Sequence, residues 1–373
     1  MLAGCGYDEQ VMSIRVAING FGRIGRTFTR ALLANNEAVF ANNGTGNGPG
    51  KGASQMESEA IELVVINDLA PLEVNAQLLA FDSTQGRLSV PVEIHDDCLV
   101  IGDFTARVIS ETDPEALPWG ELGVDVVIEA TGRFTDGKDA RMHINAGAKR
   151  VIISAPATNV DATYVVGVND GSFDPDKDFI VSNASCTTNC FVPMVKVLDD
   201  AFTVRSGLMT TVHAYTNDQN LLDLTHKDLR RARAAGINIV PSSTGAARAT
   251  GLVMQAMQGK LDGTSLRVPV PCGSITDFTC IVEADVDKHQ INTAFKQAAS
   301  QGPLERILVY SEGPLVSSDI VGTSQSCTFD APLTMVIPAG SGASLVKVMG
   351  WYDNEWGYSN RLVDLTRIIG SAK

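Results

Sequence analysis

The feature that most restricts the fold of this chain is a glycine-rich turn directly after a short apolar strand. Residues Ile14–Asn19 predict the strand, and Gly20, Gly22 and Gly25 open an amphipathic helix that runs through Leu33. Glycines at this spacing let the backbone approach a pyrophosphate, which the N-terminus of the following helix binds. The order of strand, turn and helix therefore predicts a dinucleotide-binding unit, although a tight turn in another α/β protein can give the same pattern.

An acidic residue at the end of the next predicted strand supports this interpretation. Asp68 follows the apolar strand Ile61–Asn67, where its carboxylate would accept hydrogen bonds from ribose hydroxyls and repel a 2′-phosphate. Asp68 lies further from the glycine turn than the usual ~20 residues. The cause is a Gly/Asn-rich insertion at 42–54, which its composition predicts to be a flexible surface loop of no evident function.

Further alternation of strand and helix predicts the fold class of the first half of the chain. Apolar strands lie within 124–131 and 150–154. Thr131, Gly132 and Ser154 stand at their carboxyl ends, which is where such sheets bind ligands. Repeated βα units with apolar strands indicate an α/β protein with a Rossmann-type doubly wound parallel sheet.

The second half of the chain predicts a different kind of domain. Strands at 265–271 and 277–283 have the pattern of an antiparallel sheet, with helices at 244–257 and 289–299. A chain of 373 residues is long for one core, so two domains are expected. We predict a dinucleotide-binding domain formed by residues 13–185 and 354–373. Residues 186–353 are predicted to form an α+β catalytic domain with a largely antiparallel sheet, and residues 1–12 an N-terminal extension.

The candidate nucleophile is Cys186, which lies between a predicted strand at 179–182 and helical spacing at 191–198. At a helix N-terminus the unpaired N–H groups and the macrodipole favour a thiolate and can bind an oxyanion. His213, at the end of the apolar strand 207–212, is the candidate base. A buried structural cysteine and a satisfied core histidine are the alternative interpretation.

The charge and the cysteine content exclude several classes of function. A net charge of −14 argues against a nucleic-acid or acidic-membrane partner, and no apolar run is long enough for a membrane span. Seven cysteines without paired spacing do not indicate a disulfide framework. We expect a cytoplasmic protein, because a nucleophilic thiol survives best in a reducing compartment. We expect no metal site.

Four motifs together indicate a family. The glycine-rich turn, Ser-Cys-Thr-Thr-Asn-Cys at 185–190, His-Ala-Tyr-Thr at 213–216 and Trp-Tyr-Asp-Asn-Glu-Trp-Gly-Tyr at 351–358 follow one another along the chain. From about residue 13 to its end, the chain closely resembles phosphorylating glyceraldehyde-3-phosphate dehydrogenases. The resemblance implies a glycolytic homotetramer that converts glyceraldehyde 3-phosphate, inorganic phosphate and NAD to 1,3-bisphosphoglycerate and NADH, through a thiohemiacetal and a thioester on Cys186.

The resemblance also implies roles for individual residues, with Cys186 and His213 as the catalytic pair. The residues expected to bind the NAD cofactor are Gly20, Gly22, Arg23, Ile24, Gly25, Asp68, Thr131, Gly132, Ser154, Asn354 and Tyr358. The residues expected to bind the substrate and phosphate are Ser185, Thr187, Thr216, Asp218, Arg231, Thr244, Gly245 and Arg267. Asp68 favours NAD over NADP, although Thr225 stands where NAD-dependent relatives often have proline.

Three alternatives to this function stay open at the level of sequence. An enzyme that resembles erythrose-4-phosphate dehydrogenase would release its thioester to water and would not need phosphate. A cysteine hydrolase or acyltransferase would have no redox chemistry, which leaves the glycine turn and Asp68 unexplained. A non-catalytic binding protein that kept the fold would not need the Cys186 thiol.

Overall fold

The computed structural model describes residues 13–44 and 60–372. The predicted N-terminal extension and most of the insertion lie outside these residues. In the first half, the helices are α1 (Arg23–Gly44), α2 (Leu72–Ala80) and α3 (Gly137–Asn145). The strands are β1 (Ile14–Asn19), β2 (Ile61–Asn67), β3 (Phe81–Asp82), β4 (Gly86–Arg87), β5 (Val92–His95), β6 (Cys98–Ile101), β7 (Phe104–Ile109), β8 (Val126–Glu129), β9 (Arg150–Ile153), β10 (Ala162–Thr163) and β11 (Ile180–Ser182).

The second half has five helices and eight strands among the described residues. The helices are α4 (Cys186–Phe202), α5 (Ala246–Val253), α6 (Lys288–Ala298), α7 (Ser317–Ile320) and α8 (Trp356–Gly370). The strands are β12 (Val204–Ala214), β13 (Val240–Ser243), β14 (Leu261–Val268), β15 (Ser274–Val282), β16 (Leu308–Ser311), β17 (Cys327–Asp330), β18 (Met335–Gly340) and β19 (Ala343–Tyr352). None of the helices in the described part of the chain is long and apolar enough to span a bilayer.

The first sheet confirms the predicted doubly wound architecture. Its nine strands run in the order β10-β11-β9-β8-β1-β2-β7-β6-β5, and every pair from β10 to β7 is parallel. Only the β5 and β6 edge is antiparallel. From β1 the chain goes first to β2 on one side and later to β8 on the other, so the strand order reverses at β1. Ligands bind at the carboxyl ends of the strands at such a reversal.

The second sheet is largely antiparallel, in the order β13-β14-β12-β15-β19-β17-β16, with β18 paired to β19. The predicted strands around 265–271 and 277–283 both exist, but they are not neighbours, because β12 lies between them. Strand β14 pairs with β12 in parallel, whereas β15 pairs with β12 in antiparallel orientation. Helix α4 covers this sheet, and its Phe191 ring meets Phe278 of β15 edge-on at 4.9 Å between centroids.

Helix α1 runs beyond the predicted end at Leu33, into the segment predicted as a loop. Tertiary hydrogen bonds hold the extension: Asn35 Nδ2 donates to Asn360 Oδ1 of α8, and Asn36 Nδ2 donates to the carbonyl of Ile61. Asparagine is a weak helix former, so local propensity gave no signal for these residues. The contact between Asn35 and Asn360 also docks α8, the last helix, on α1 of the first half of the chain.

Candidate active site

The Cys186 thiol lies where a buried strand passes into a helix, as the sequence predicts. Strand β11 ends at Ser182, and α4 begins at Cys186. Ser185 is the N-cap of α4, because its hydroxyl accepts a hydrogen bond of 3.0 Å from the backbone N–H of Thr188. The N–H groups of Cys186 and Thr187, which come before that of Thr188 in the helix, can stabilise negative charge on the thiol.

His213 lies directly against the thiol. The distance from Cys186 Sγ to His213 Nε2 is 3.4 Å, which is within the range of a hydrogen bond to sulfur. The imidazole is 4 % exposed, so bulk water does not compete for this contact. Strand β12 carries His213 one residue from its end, and α4 packs over this sheet. The structure therefore brings together the nucleophile and the base that the sequence predicts, 27 residues apart.

Burial and one cation set the protonation of this pair. Burial raises the pKa of the Cys186 thiol above its ordinary value, while the charge of Arg267 and hydrogen bonds from the N–H and hydroxyl of Thr187 act in the opposite direction. Burial, followed by the charge of Arg267, lowers the pKa of His213 to about 3. At neutral pH the imidazole is therefore uncharged, and one ring nitrogen can accept a proton.

The backbone just before the thiol is held in an unusual conformation. Ala184 has a φ of 54°, a left-handed conformation that costs a non-glycine residue about 1 kcal/mol. The Tyr358 hydroxyl of α8 donates to the Ala184 carbonyl at 3.1 Å and fixes this turn. Tyr358, predicted to pack near a nicotinamide ring, thus also holds the peptide that leads into Cys186.

A buried tyrosine beneath the site was not assigned a role from the sequence. The Tyr352 hydroxyl lies 2.8 Å from Thr187 Oγ1 and 2.7 Å from Thr211 Oγ1, and its ring meets His213 at 75° with centroids 5.9 Å apart. It links α4 to β12 directly below Cys186 and His213. The sequence signal for this contact was the spacing of Thr211 and His213. Residues two apart on a strand share one face, so a side chain that contacts Thr211 also lies near His213.

Arg267 reaches the far side of the His213 ring. Strands β12 and β14 pair in parallel, and Arg267 stands opposite His213 in that register. Its Nη1 atom lies 2.6 Å from His213 Nδ1 and donates to the Ala214 carbonyl at 3.0 Å. Burial lowers the pKa of Arg267, and no carboxylate forms an ion pair with it in residues 13–44 and 60–372. A half-buried guanidinium of this kind is suited to bind an anion.

The other residues predicted to bind phosphate lie in neighbouring segments with partners of their own. Arg231 binds the Asp218 carboxylate and donates to Ser242 Oγ at 3.1 Å, so Asp218 holds this arginine in place. Burial is the main cause of the lowered pKa of Arg267; the charge of Arg231 lowers it further, and that of Asp218 raises it. The remaining predicted residues lie in two other turns. The backbone N–H of Thr216 donates to Gln219 Oε1 at 3.4 Å. Gly245, which follows Thr244, is the N-cap of α5.

Next to β1 the glycine turn forms one wall of a cavity of about 250 Å³. Gly20 has a φ of 95°, and a Cβ atom there would lie 2.7 Å from the backbone nitrogen of Thr131. A Cβ on Gly25 would lie 2.4 Å from the Gly20 carbonyl oxygen, whereas one on Gly22 would meet nothing within 4 Å. Close packing needs the first and third glycines, and the second leaves open space that a pyrophosphate can fill.

Asp68 lines the same cavity, together with Gly22 and Thr131. Its carboxylate accepts hydrogen bonds from the N–H groups of Phe21 at 2.6 Å and Ala70 at 2.8 Å. Each oxygen keeps a lone pair for a further donor, as a ribose hydroxyl would supply. Gly132 and Ser154 follow the ends of β8 and β9, in line with their predicted position at the carboxyl edge of the sheet.

Arg23 and Asn354 are held by other residues at the edge of this cleft. The guanidinium of Arg23 binds the carboxylates of Asp82 and Glu355, which raise its pKa. Because the guanidinium is occupied, only the backbone N–H of Arg23 is available for the predicted contact with a dinucleotide. This N–H and that of Ile24 lie in the first turn of α1. The Asn354 amide oxygen accepts a hydrogen bond from Ser274 at 2.9 Å, so its NH₂ group is the part that can donate to a ligand.

A buried polar network behind the glycine turn was also missed. Asn19, Asn67 and Glu129 end three neighbouring strands, and Asn19 Nδ2 donates to Glu129 Oε2 at 2.6 Å. Thr131 donates to Glu129 through both its N–H and its hydroxyl. His143 Nε2 lies 3.1 Å from Glu129 Oε2, and Trp119 Nε1 lies 3.0 Å from His143 Nδ1.

This network fixes the tautomer of His143. An indole N–H can only donate, so His143 Nδ1 must accept from Trp119, and the ring proton must lie on Nε2. His143 Nε2–H donates to the Glu129 carboxylate. The hydrogen-bond donors described here for this buried carboxylate are therefore all uncharged groups. The network connects α3 and the segment before it to Thr131, a predicted cofactor-binding residue.

We expect His143→Phe to lower the free energy of unfolding by about 3 kcal/mol, because it removes a hydrogen bond to a buried carboxylate and leaves the indole N–H of Trp119 without a partner. Chemical denaturation measures the loss. The matched control is His143→Gln, whose amide can still donate to Glu129 and should lose less. Equal loss in both variants would show that ring volume, and not hydrogen bonding, is the cause.

Comparison with known proteins places these features in one family. The C-terminal domain of glyceraldehyde 3-phosphate dehydrogenase matches residues 185–354, and the NAD binding domain of the same enzyme matches residues 14–137. A glyceraldehyde-3-phosphate dehydrogenase from Streptomyces coelicolor is 53% identical over 360 residues, which cover 96% of this chain and 99% of the relative. One from Mycobacterium avium is 53% identical over 363 residues, covering 97% and 100%. The chain therefore belongs to the glyceraldehyde 3-phosphate dehydrogenase family and is an NAD-dependent oxidoreductase.

Proposed function

We propose that this chain oxidises glyceraldehyde 3-phosphate with NAD and inorganic phosphate, and gives 1,3-bisphosphoglycerate and NADH. The observation that carries the proposal is the 3.4 Å contact between Cys186 Sγ and His213 Nε2 at the N-terminus of α4. A thiol activated in this way can form a covalent bond to an aldehyde carbon. A dinucleotide in the neighbouring cleft can then oxidise the bound aldehyde, so that the product has the oxidation level of an acid. Family membership supports the substrate and the cofactor.

The residues of the cleft would hold NAD along its length. The open space at Gly22 would accommodate the pyrophosphate, and the free lone pairs of Asp68 would accept hydrogen bonds from the adenosine ribose. The Asn354 NH₂ group, whose amide oxygen is held by Ser274, would donate to the nicotinamide carboxamide. When bound, NAD supplies the hydride acceptor of the reaction.

The proton transfers in the proposed reaction belong to Cys186 and His213. His213 Nε2 takes the thiol proton while the sulfur forms a bond to the aldehyde carbon, and the imidazolium returns this proton to the carbonyl oxygen. The resulting thiohemiacetal gives its hydroxyl proton back to Nε2 as the carbon loses a hydride, which leaves a thioester on Cys186. The N–H groups at the start of α4 stabilise the oxyanion in these steps.

Release of the thioester requires a second reactant. A phosphate oxygen attacks the thioester carbon, the C–S bond breaks, and Cys186 leaves as a thiolate. Ser185, Thr187, Thr216, Asp218, Arg231, Thr244, Gly245 and Arg267 are the residues that we propose for the two phosphate groups, with Asp218 acting through its ion pair to Arg231. Arg267 is the best supported of them, because its half-buried charge has no carboxylate partner among the described residues.

The test is NADH formation from glyceraldehyde 3-phosphate with and without inorganic phosphate. Sustained turnover should require phosphate. Without phosphate, each active site should form one NADH and then stop, because the thioester is not released. Equal turnover without phosphate would favour release to water, as in an erythrose-4-phosphate dehydrogenase. Absence of NADH under both conditions would contradict the proposed oxidation and favour a hydrolase, an acyltransferase or a non-catalytic protein.

The carboxylate of Asp68 should exclude NADP. In Asp68→Ser the negative charge that faces the 2′ position is removed, so we expect the ratio of kcat/KM for NADP to that for NAD to rise about 10- to 100-fold, which corresponds to roughly 1.4–2.7 kcal/mol. Steady-state kinetics with both cofactors measure the ratio. Asp68→Glu keeps the charge and is the control. A wild-type preference for NADP would show that the Asp68 carboxylate does not exclude the 2′-phosphate.

We also propose that the protein is a homotetramer. The segment 217–239, which lies between β12 and β13, exposes several large apolar side chains, which are unusual in a free surface. The most exposed are Leu221 at 83 %, Leu229 at 82 % and Ile237 at 82 %. Light scattering should give the mass of a tetramer for the wild type and a smaller mass for Leu221→Glu/Leu229→Glu. Val74→Glu, elsewhere on the surface, should not change it, and a monomeric wild type would contradict the proposal.

The domain limits and the compartment are also proposals. We place one domain at 13–185 with 354–373 and the other at 186–353, since α8 packs on α1 while the sheet of β12 to β19 is built from the segment between them. The six cysteines of the described residues are free thiols, which supports a reducing compartment such as the cytoplasm.

A further inference from the structure

One buried hydroxyl joins the peptide after His213 to the side-chain amide of Asn354. Ser274, the first residue of β15, is 1 % exposed, so water does not compete for its hydrogen bonds. Its Oγ atom accepts a hydrogen bond of 3.1 Å from the backbone N–H of Ala214 and donates at 2.9 Å to Asn354 Oδ1. Strand β15 lies between β12 and β19, so Ser274 reaches both the end of β12 and the segment that follows β19.

The bonding capacity of this hydroxyl fixes the orientation of the Asn354 amide. A backbone N–H can only donate, so Ala214 occupies an acceptor position of Ser274 and the hydroxyl proton needs another partner. Among the described residues, Asn354 Oδ1 is the acceptor of this proton. If the amide turned over, the proton would face the NH₂ group, which also donates, and a buried donor would lose its partner. The amide oxygen therefore faces Ser274, and the NH₂ group faces away from it.

The backbone around Asn354 is also held in place. Asp353, the buried residue before it, accepts hydrogen bonds of 2.8 Å from the two backbone N–H groups that follow Asn354, and one of 3.1 Å from the Cys272 thiol. Gly273 has a φ of 87°, and a Cβ atom there would lie 2.2 Å from a carbonyl oxygen of α7. Cys272 and Ser274, on either side of this tightly packed glycine, thus hold two consecutive side chains.

The NH₂ group of Asn354 is the part of this side chain that is left for a ligand. Its nitrogen has no hydrogen-bond partner in residues 13–44 and 60–372. The carboxamide on the pyridine ring of NAD has both a carbonyl oxygen and an NH₂ group, so it could pair with an asparagine in either orientation. The orientation that Ser274 sets leaves only the pairing with the carbonyl oxygen.

We propose that Ser274 is a positioning residue that makes the cleft specific for a hydrogen-bond acceptor on the pyridine ring of the cofactor. It acts through Asn354, because it keeps the amide oxygen on its own side and presents the NH₂ group to the ring. A ring that carries a carbonyl group is accepted, and one that carries only a donor is rejected. This inference rests on the part of the proposed function in which Asn354 donates to the nicotinamide carboxamide.

Two dinucleotides that differ at the pyridine ring test the orientation in the full-length protein. The 3-acetylpyridine analogue of NAD has an acceptor and no donor at this position, whereas the 3-aminopyridine analogue has a donor and no carbonyl group. Isothermal titration calorimetry without substrate gives the ratio of their dissociation constants. The wild type should favour the acetyl analogue. In Ser274→Ala the ratio should move about 10-fold toward the amino analogue, the size of one hydrogen-bond preference, while NAD itself should bind within a few-fold of the wild type.

Matched controls separate the orientation of the amide from damage to the cleft. ADP-ribose lacks the pyridine ring, so its dissociation constant should be the same in the wild type and in Ser274→Ala. Ser265→Ala removes a buried hydroxyl of β14 that has no hydrogen-bond partner among the described residues, and it should keep the wild-type ratio. Ser274→Thr keeps the hydroxyl and should also keep the ratio. If Ser274→Ala does not fold, Ser274→Thr and Ser274→Val give the same comparison, because they have the same shape and differ in the hydroxyl.

The outcomes separate this inference from the proposed function, since binding is measured apart from turnover. An unchanged ratio without the Ser274 hydroxyl would overturn the inference, even if the enzyme forms NADH from glyceraldehyde 3-phosphate and phosphate. A loss of affinity for ADP-ribose as large as that for NAD would also overturn it, because the hydroxyl would then support the whole cleft. A changed ratio in a protein that forms no NADH would keep the inference and remove the proposed reaction.

Discussion

Cys186→Ser is expected to reduce kcat by about 10⁴-fold or more, because a serine hydroxyl at this position is not a competent nucleophile for thioester chemistry. The sulfur forms the only covalent bond between protein and substrate in the proposed reaction. The expected loss is therefore of the size seen when a catalytic nucleophile is removed. Steady-state and single-turnover measurements of NADH formation give the change.

Binding of NAD to Cys186→Ser should stay within a few-fold of the wild type. The residues of the cleft lie mostly just after the ends of β1, β2, β7 and β8, away from Cys186 in the sequence, and the serine keeps the size of the side chain. Cys98→Ser is the matched control, since Cys98 is a partly exposed thiol in β6 and should be replaceable without effect on kcat. Substantial turnover by Cys186→Ser would mean that the thiol is a structural residue of a site with other chemistry.

His213→Gln is expected to reduce kcat by about 10²- to 10⁴-fold, the usual contribution of a general acid and base. The glutamine amide fills much of the space of the imidazole but cannot take the thiol proton or return it to the carbonyl oxygen. The KM for glyceraldehyde 3-phosphate should change less than kcat. His289→Gln, at an exposed histidine of α6, is the control and should keep wild-type activity.

The pH dependence distinguishes the roles of the two residues. The pKa of His213 is lowered to about 3, so the imidazole stays neutral as the pH falls from neutral to about 5 and should not cause an acid limb in that range. The pKa of Cys186 is raised, so the thiolate fraction and the rate of alkylation by iodoacetamide should rise with pH. An alkylation rate in His213→Gln equal to that of the wild type at every pH would contradict a role of His213 as base.

The parts of the fold that the sequence predicted are those with a local signal. The turn at Gly20 to Gly25, the strand before it and the helix after it are contiguous, and hydrophobic periodicity marks each element. Cys186 could be placed at a helix N-terminus for the same reason. The helix beyond Leu33 was missed, because contacts with Asn360 and Ile61 stabilise it against the weak propensity of its asparagines.

The parts that could not be predicted depend on pairing across long separations. The sequence indicated strands around 265 and 277 but not that β12 lies between them. Tyr352 stood within a quoted motif, yet its contacts with Thr187 and Thr211 cross 165 and 141 residues. His143 and Trp119 gave no signal, since a buried polar side chain is recognised only from its partners.

The sequence by itself determined the kinds of chemical group in this protein: a thiol at the start of a helix, a histidine at the end of a strand, and glycines that admit a pyrophosphate. The tertiary structure decided which of these groups meet. The parallel register of β12 and β14 sets Arg267 opposite His213, and the packing of α4 on that sheet sets the sulfur of Cys186 against the other ring nitrogen. Register and packing are set by many contacts between distant segments, so no local pattern in the chain contains them.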